Sequence, residues 1–230
     1  MGRSHRSLGN NCGYPRADSV PRDAANARYC RRKRVRVAIV SDTHGFVDAR
    51  VLEVVATCDL VVHAGDIGNA EVLQLLRSAA NQVLAIRGNN DIPSKWPVHD
   101  KRTLAVLPET LCVALPGGYL AVVHGHRAGT GATRHYRLRR RYADARAIAY
   151  GHSHRMLCDC DEAPWVLNPG AAGRSRTFGG PSCLILSAAV TRWKVEPVRF
   201  QSRQGYVSRD RPVHGGDDRR RGNHRRSMVS

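Results

Sequence analysis

From Val35 onward the apolar positions fall into blocks whose period changes along the chain. VRVAIVS, residues 35–41, is a β-branched and apolar run that reads as a buried strand. DARVLEVVATC, residues 48–58, spaces Val51, Leu52, Val54 and Val55 along one face of a helix. DLVVHAGD (59–66) is a second apolar strand. NAEVLQLLRSAA (69–80) is a second helix, with Asn69 as its N-cap. QVLAIRGNND (82–91) is a third strand that runs into a polar turn. Strand, helix, strand, helix, strand in succession predicts parallel βαβ units with helices lying on the sheet.

The second half has a different rhythm. RTLAVLPETLCVALPGGYLAVVHGH (102–126) reads as short strands, with PGG marking a hairpin turn. ATRHYRLRRRYADA (132–145) reads as a basic helix, and RAIAYGHSH (146–154) as another strand ending in a polar turn. RMLCDCDEAPWVLNPG, SCLILSAA and TRWKVEPVRF add further strands. Residues 35–200 contain no internal repeat or low-complexity segment. The expectation is one α/β domain over 35–200, a central sheet or sheet pair with flanking helices.

Charge changes the picture at the ends. The 230 residues carry a formal +18, and 42% of them are apolar. Residues 1–34 hold nine Lys/Arg against two Asp/Glu, and residues 201–230 hold eight against three. The tails are also rich in Gly, Ser, Asn and Pro and poor in large apolar residues, so both read as disordered basic extensions. RRKR (31–34) and DDRRRGNHRR (217–226) suit weak, nonspecific contact with RNA, DNA or another anionic surface. Aromatic residues that would stack on bases are not interleaved with them.

The cysteines exclude a disulfide framework. Seven are present, at 12, 30, 58, 112, 158, 160 and 183, an odd number without a C-x-x-C pair. They read as reduced thiols, and with no signal-peptide pattern or membrane span the expected location is the cytoplasm, with no membrane partner.

The chemistry gathers where the strands end. The first runs into SDTHG, with Asp42 and His44; the second into GDIG, with Asp66. The third runs into GNND, with Asn89, Asn90 and Asp91. Later strands run into HGH, with His124 and His126, and GHSH, with His152 and His154. In open α/β sheets the carboxyl rim of the strands is where sites are built. Alone, each cluster is an ordinary turn or cap; all five together, each after a strand, point to one site. Imidazoles, carboxylates and an amide oxygen are ligands for a divalent cation, which takes about four to six donors. The donors here exceed the needs of one tetrahedral ion and suit two ions sharing a carboxylate, the recurring device for phosphate-ester hydrolysis. The absence of thiolates favours Mn, Fe, Co, Ni or Zn in a reactive site over a structural zinc.

In that order, SDTHG, GDIG, GNND, HGH and GHSH resemble the calcineurin-like metallophosphoesterase superfamily, and specifically its YfcE-like phosphodiesterase branch. NPGA, residues 168–171, resembles that branch's NPGS element, with Ala171 in place of the serine. The resemblance spans about residues 35–199 and neither tail. It implies a four-layer αββα sandwich with a dinuclear centre at its rim. By motif, Asp42, His44 and His154 would hold one metal, Asn89, His124 and His152 the other, and Asp66 would bridge them. The implied reaction is attack by a metal-bound hydroxide on a small phosphodiester or phosphomonoester. Manganese is the family's preference, with Ni, Co, Fe, Zn or Mg as alternatives. Enzymes of this branch often form dimers or tetramers, so a homo-oligomer is also implied.

A second departure, beside Ala171, bears on the chemistry. Many relatives outside the branch carry a general-acid histidine after the ligand Asn; here Asn90 stands there and has no useful pKa. His126 is then the nearest candidate proton donor, and Asp91 a residue that orients neighbours. Arg137, Arg140 and Arg141 on the basic helix are candidates for contact with a substrate phosphate. Two other readings compete with the phosphodiesterase. One is a non-catalytic scaffold, as in the retromer subunit of this fold, which usually goes with a lost ligand; none is missing here. The other is a nuclease recruited to nucleic acid by the basic tails.

Overall fold

The computed structural model describes residues 29–202. The tail expectations over 1–28 and 203–230, and Cys12, lie outside the described residues. The other six cysteines are free thiols. Among the described residues, no helix is long and apolar enough to cross a membrane.

The first sheet has the order β10-β9-β1-β2-β3. Its strands are β1 (Arg34–Val40), β2 (Leu60–His63), β3 (Val83–Ala85), β9 (Ser182–Ala189) and β10 (Trp193–Arg199). β1, β2 and β3 pair in parallel, as the βαβ pattern predicts, while β9 and β10 join antiparallel. The second sheet has the order β4-β5-β6-β8-β7. It is built from β4 (Thr110–Leu115), β5 (Gly118–Val123), β6 (Ala147–Tyr150), β7 (Leu157–Asp159) and β8 (Trp165–Asn168). β4 and β5 form the hairpin that PGG announces.

Period-two alternation explains why the sheets stack. In β1, Val35, Val37 and Ile39 face one way and meet Val113, Leu120, Val122, Ala149 and Leu167 of the other sheet in a shared core. The opposite face of β1, Ala38 and Val40, packs under α1 (Ala49–Val55) and α2 (Ala70–Ala79) through Val51, Val55, Leu73 and Leu76. The outer face of the second sheet is covered by α4 (Gly131–Arg141), where Leu138 meets Ala121, Ile148 and Val166. Helix, sheet, sheet, helix gives the four-layer αββα sandwich. Each fully buried Leu, Ile or Val contributes about 1.5–3 kcal/mol of apolar burial.

Two details differ from the sequence reading. Residues 101–105 form a short helix, α3 (Lys101–Ala105), rather than the start of a strand. Lys, Arg, Leu and Ala all favour helix, and Leu104 alone turns inward to the α1–α2 layer. The packed structure also includes Tyr29, six residues before Val35. Its ring lies in the inter-sheet core, and its hydroxyl donates to the Asp59 carbonyl at 3.1 Å. Asn69 caps α2 as expected, its side chain accepting from Val72 N–H at 3.1 Å.

Candidate metal centre

β1, β2, β3, β5 and β6 deliver their following loops to one rim of the sandwich. The backbone there is strained. Asp42, His44, Asp66, His152 and His154 all have φ between 46° and 68°. That left-handed region costs a non-glycine residue about 1–3 kcal/mol unless its surroundings hold it. Among the described residues only one other non-glycine, Arg176, shares it. The holding is visible. Asp42 N–H donates to the Gly65 carbonyl and His44 N–H to the Asp66 carbonyl, each at 3.0 Å, so the first loop is stitched to the second. Beneath them His63 is fully buried. Its Nδ1 accepts from Gly65 N–H, so Nε2 carries the proton and donates to Thr43 Oγ1 at 2.9 Å; Thr43 in turn donates to the Ile67 carbonyl.

Glycine is required where loops cross. A Cβ on Gly88 would overlap the Asp66 carboxylate, and one on Gly151 would overlap Ser41 Oγ and crowd Asp42.

The side chains converge in two groups. In the first, Asp42, His44 and His154 have ligand atoms all within 4.8 Å of one another. His44 Nε2 is 3.2 Å from His154 Nε2, which is 3.4 Å from Asp42 Oδ1. In the second, Asn89 Oδ1 lies 3.1 Å from His124 Nε2 and 3.0 Å from His152 Nδ1. Asp66 Oδ2 stands between the groups, 3.8 Å from His44 Nε2 and 3.4 Å from His124 Nε2. Asp42 also approaches Asp66 and His124 closely enough to share a cation with them.

The donor chemistry fits a cation. His124 Nδ1 faces the Ala64 carbonyl at 2.8 Å, and His154 Nδ1 faces the Ser175 carbonyl at 3.3 Å. A carbonyl only accepts, so each Nδ1 carries a proton and each ring turns its Nε2 to the cluster. Two Nε2 atoms, a carboxamide oxygen and two carboxylates then point at one another. A proton or a metal ion relieves that convergence.

Charge follows the same logic. Burial pushes the Asp42 carboxyl up to about 7, against the opposing pull of His124. Burial also opposes charge on Asp66. The hydrogen bond and charge of His124, with the Asn90 donors, nevertheless hold its carboxyl well below the usual range. Burial, then His124, lowers His152 to about 4; burial, then Arg176, lowers His154 to about 4. His44 is likewise lowered, chiefly by burial. His124 goes the other way: burial lowers it, but its hydrogen bond to Asp66 and that carboxylate's charge raise it. The three imidazoles kept neutral are competent ligands.

The other sequence candidates separate clearly. Asn90 grips the central carboxylate, its N–H donating to Asp66 Oδ1 at 2.8 Å and its Nδ2 to Oδ2 at 2.7 Å. Asp91 is buried and accepts from Ile67, Gly68 and Gly88 N–H and from the Trp96 indole. It pins two loops together. His126 is exposed at the mouth, its ring 5.7 Å from that of His124 and 6.2 Å from that of His152. Ala171 is buried. Asn168 of the same element reaches the Gly151 carbonyl at 2.9 Å and so fixes the His152 loop.

Sequence reasoning missed Arg176. Its Nη2 donates to His44 Nε2 at 3.4 Å, which places a guanidinium at the edge of the first group. GRSRTFGG has no motif that marks it; only the tertiary fold brings residue 176 back to residue 44.

Residues 35–190 match the family model described as the calcineurin-like phosphoesterase superfamily domain. The chain belongs to the calcineurin-like phosphoesterase superfamily. Solved structures share its fold at low identity. Vacuolar Protein Sorting 29 from Cryptosporidium parvum is 18% identical with a TM-score of 0.57, over 74% of this chain and 100% of that one. A protein from Streptococcus pneumoniae titled a predicted phosphoesterase is 22% identical with a TM-score of 0.53, over 72% and 90%. A novel archaeal phosphodiesterase is 20% identical with a TM-score of 0.54, over 72% and 99%. No curated protein matches the sequence. The superfamily acts on phosphoester bonds, and the candidate ligands at the rim are of the kind that hold divalent metals.

Proposed function

We propose that this protein is a metal-dependent phosphodiesterase with two divalent ions per chain, manganese being the preferred ion. The observation that carries the reading is the convergence of ligand atoms, on backbone held in the left-handed region at five of the seven positions. Asp42, His44 and His154 would hold one ion, Asn89, His124 and His152 the other, with Asp66 shared. A Vps29 from Entamoeba histolytica, 18% identical with a TM-score of 0.52, is titled as complexed with Zn²⁺, which supports a metal on this fold. The archaeal relative's title supports the diester preference.

Such ions polarise phosphoryl oxygens and lower the pKa of water, so hydrolysis proceeds at neutral pH. The chain's own residues do the rest. Asn90 keeps Asp66 ionised and aimed. Arg176 is within reach of a phosphate placed at the first group, where a guanidinium pairs with phosphoryl oxygens. His126 is the titratable group at the mouth, its pKa lowered chiefly by burial, and is the candidate to pass a proton to the leaving group. The substrate phosphorus gains an oxygen from water and loses its bond to the leaving oxygen, which takes up a proton.

The test is turnover of bis-p-nitrophenyl phosphate by metal-stripped protein titrated with Mn, Ni, Zn and Mg. Activity should return at about two metals per chain and vanish with chelator. Asp66→Asn or His152→Ala should lower kcat/KM at least a hundredfold. The similarity to Vps29 favours one second reading, a binding scaffold on the same fold. Metal-loaded protein inert on both aryl mono- and diesters would support it against the enzyme.

A further inference from the structure

Residues 173–176 are tied, one after another, to the first ligand group and its loop. A Cβ on Gly173 would overlap the Thr43 carbonyl and crowd that of Phe46, so the two loops cross closely there. The Arg174 guanidinium lies over the Phe46 ring, 3.4 Å from its centroid. The Ser175 carbonyl faces His154 Nδ1 at 3.3 Å. Arg176 then donates from Nη2 to His44 Nε2 at 3.4 Å. Its φ is 54°, in the region shared by Asp42, His44, Asp66, His152 and His154 and by no other non-glycine among the described residues. Such strain persists only where the surroundings fix it, and it gathers at sites that bind or react. Here the Arg176 carbonyl is held by Phe178 N–H at 2.9 Å. The backbone is pinned, while the side chain is exposed and brings its guanidinium to a candidate ligand atom.

That contact has a chemical consequence. A guanidinium carries donors and no acceptor, so Arg176 uses the lone pair of His44 Nε2. A ring nitrogen has one such pair. It serves the guanidinium or a metal ion, and never both. The two are also like charges, so an ion at Nε2 repels the guanidinium unless an anion stands between them.

We propose that Arg176 and the first metal ion exchange at His44 Nε2, so that the arriving ion releases the guanidinium to a phosphoryl oxygen of the substrate. Arg176 is thus a rival of the ion and a partner of the phosphate, a clamp set by metal loading. Ion and phosphate each bind better in the presence of the other, by the amount that Arg176 contributes to the pair. The exchange rests on the metal reading above. It adds an antagonism between Arg176 and the ion that a simple phosphate contact does not need.

Two affinities should therefore move in opposite directions. Zinc affinity is measured by competition with a chromophoric chelator in phosphate-free buffer. It should rise about fivefold in Arg176→Ala, which removes both the rival for Nε2 and a like charge. Binding of inorganic phosphate to the zinc-loaded protein, measured by calorimetry, should fall about tenfold in the same variant. Arg176→Lys keeps the charge without the planar fork, so its phosphate affinity should lie between those of wild type and Arg176→Ala. Arg174→Ala removes the same charge one position from Ser175, where it covers Phe46 and touches no ligand. It should leave both affinities within about twofold of wild type. A variant that merely loosens the site would weaken zinc and phosphate together. Zinc affinity unchanged or lowered in Arg176→Ala would overturn the exchange, and so would unchanged phosphate affinity. A wild type that binds no zinc would end the metal reading and the exchange with it. A wild type that binds zinc without hydrolysing bis-p-nitrophenyl phosphate would end only the phosphodiesterase reading, and the two affinities would still decide the exchange.

Discussion

Asn90 shows how much one side chain sets at this rim. Its backbone and side-chain N–H groups both end on the Asp66 carboxylate, which stands between the two ligand groups. Removing the side-chain amide takes the donor from Oδ2, while the backbone N–H bond to Oδ1 stays. Asn90→Ala should weaken divalent-metal affinity by about 10- to 100-fold, measured by competition with a chromophoric chelator, while the melting temperature changes little. Gly88 acts through space rather than polarity. A Cβ there meets the same carboxylate and the Asp66 backbone nitrogen. Gly88→Ala should therefore cost about 1–3 kcal/mol of stability by denaturant unfolding as well as metal affinity. An Ala variant with wild-type stability and metal binding would contradict the crowding seen at that crossing.

At the scale of elements, α4 is held to the edge strand β7 by charge. Asp159 accepts from Arg139 Nη2 at 2.6 Å and faces His135 Nδ1 at 2.9 Å. The hydrogen bond from Arg139 holds the Asp159 carboxyl below its usual 3.8, despite some burial. A carboxyl depressed in the folded state stabilises above its unfolded value, and that contribution disappears as pH falls through the folded one. Asp159→Asn should thus lower stability by about 0.5–1 kcal/mol, discounted for partial exposure. The gap between wild type and variant should be constant from about pH 5 to 7 and close below 3.8. Thermal melts across that range read it directly; a gap that persists at low pH would assign the effect to packing instead. The same helix carries Arg137 and Arg141, which line a cleft of about 590 Å³ lined also by Asn89 and His124, so the tie also sets where the cleft wall stands.

For the whole molecule, the packed core reaches back to Tyr29. Its ring is 1% exposed between the sheets, and Arg32 pairs with Asp59 at 2.8 Å beside it. A chain begun at residue 29 should melt well above one begun at residue 35. Losing a buried aromatic costs about 3 kcal/mol, or on the order of 6–12 °C for a domain of this size. Equal melting temperatures would mean that Tyr29 adds nothing to the core.

The α/β domain, a sheet or sheet pair with flanking helices, was legible in the sequence because burial has a period; its four-layer order came from the family resemblance. Strands buried on both faces, such as Ala38–Val40, and helices with one apolar stripe, such as α2, leave few ways to stack. The candidate ligands were legible because each follows a strand, and strands of a parallel unit end at one rim. The lone misread element, α3, lay in a short apolar run where strand and helix patterns coincide. What the sequence could not decide was distance. Backbone strain at Asp42, His44, Asp66, His152 and His154 exists only because crossing loops hydrogen-bond one another across long sequence separations. Arg176 reaches His44 across 132 positions. The split of the basic helix, with Arg137 and Arg141 toward the cleft and Arg140 away from it, depends on the rotation of α4 on its sheet. Residue types and their period are local properties of the chain; which polar atoms meet is settled by packing, so only the tertiary structure assembles the site.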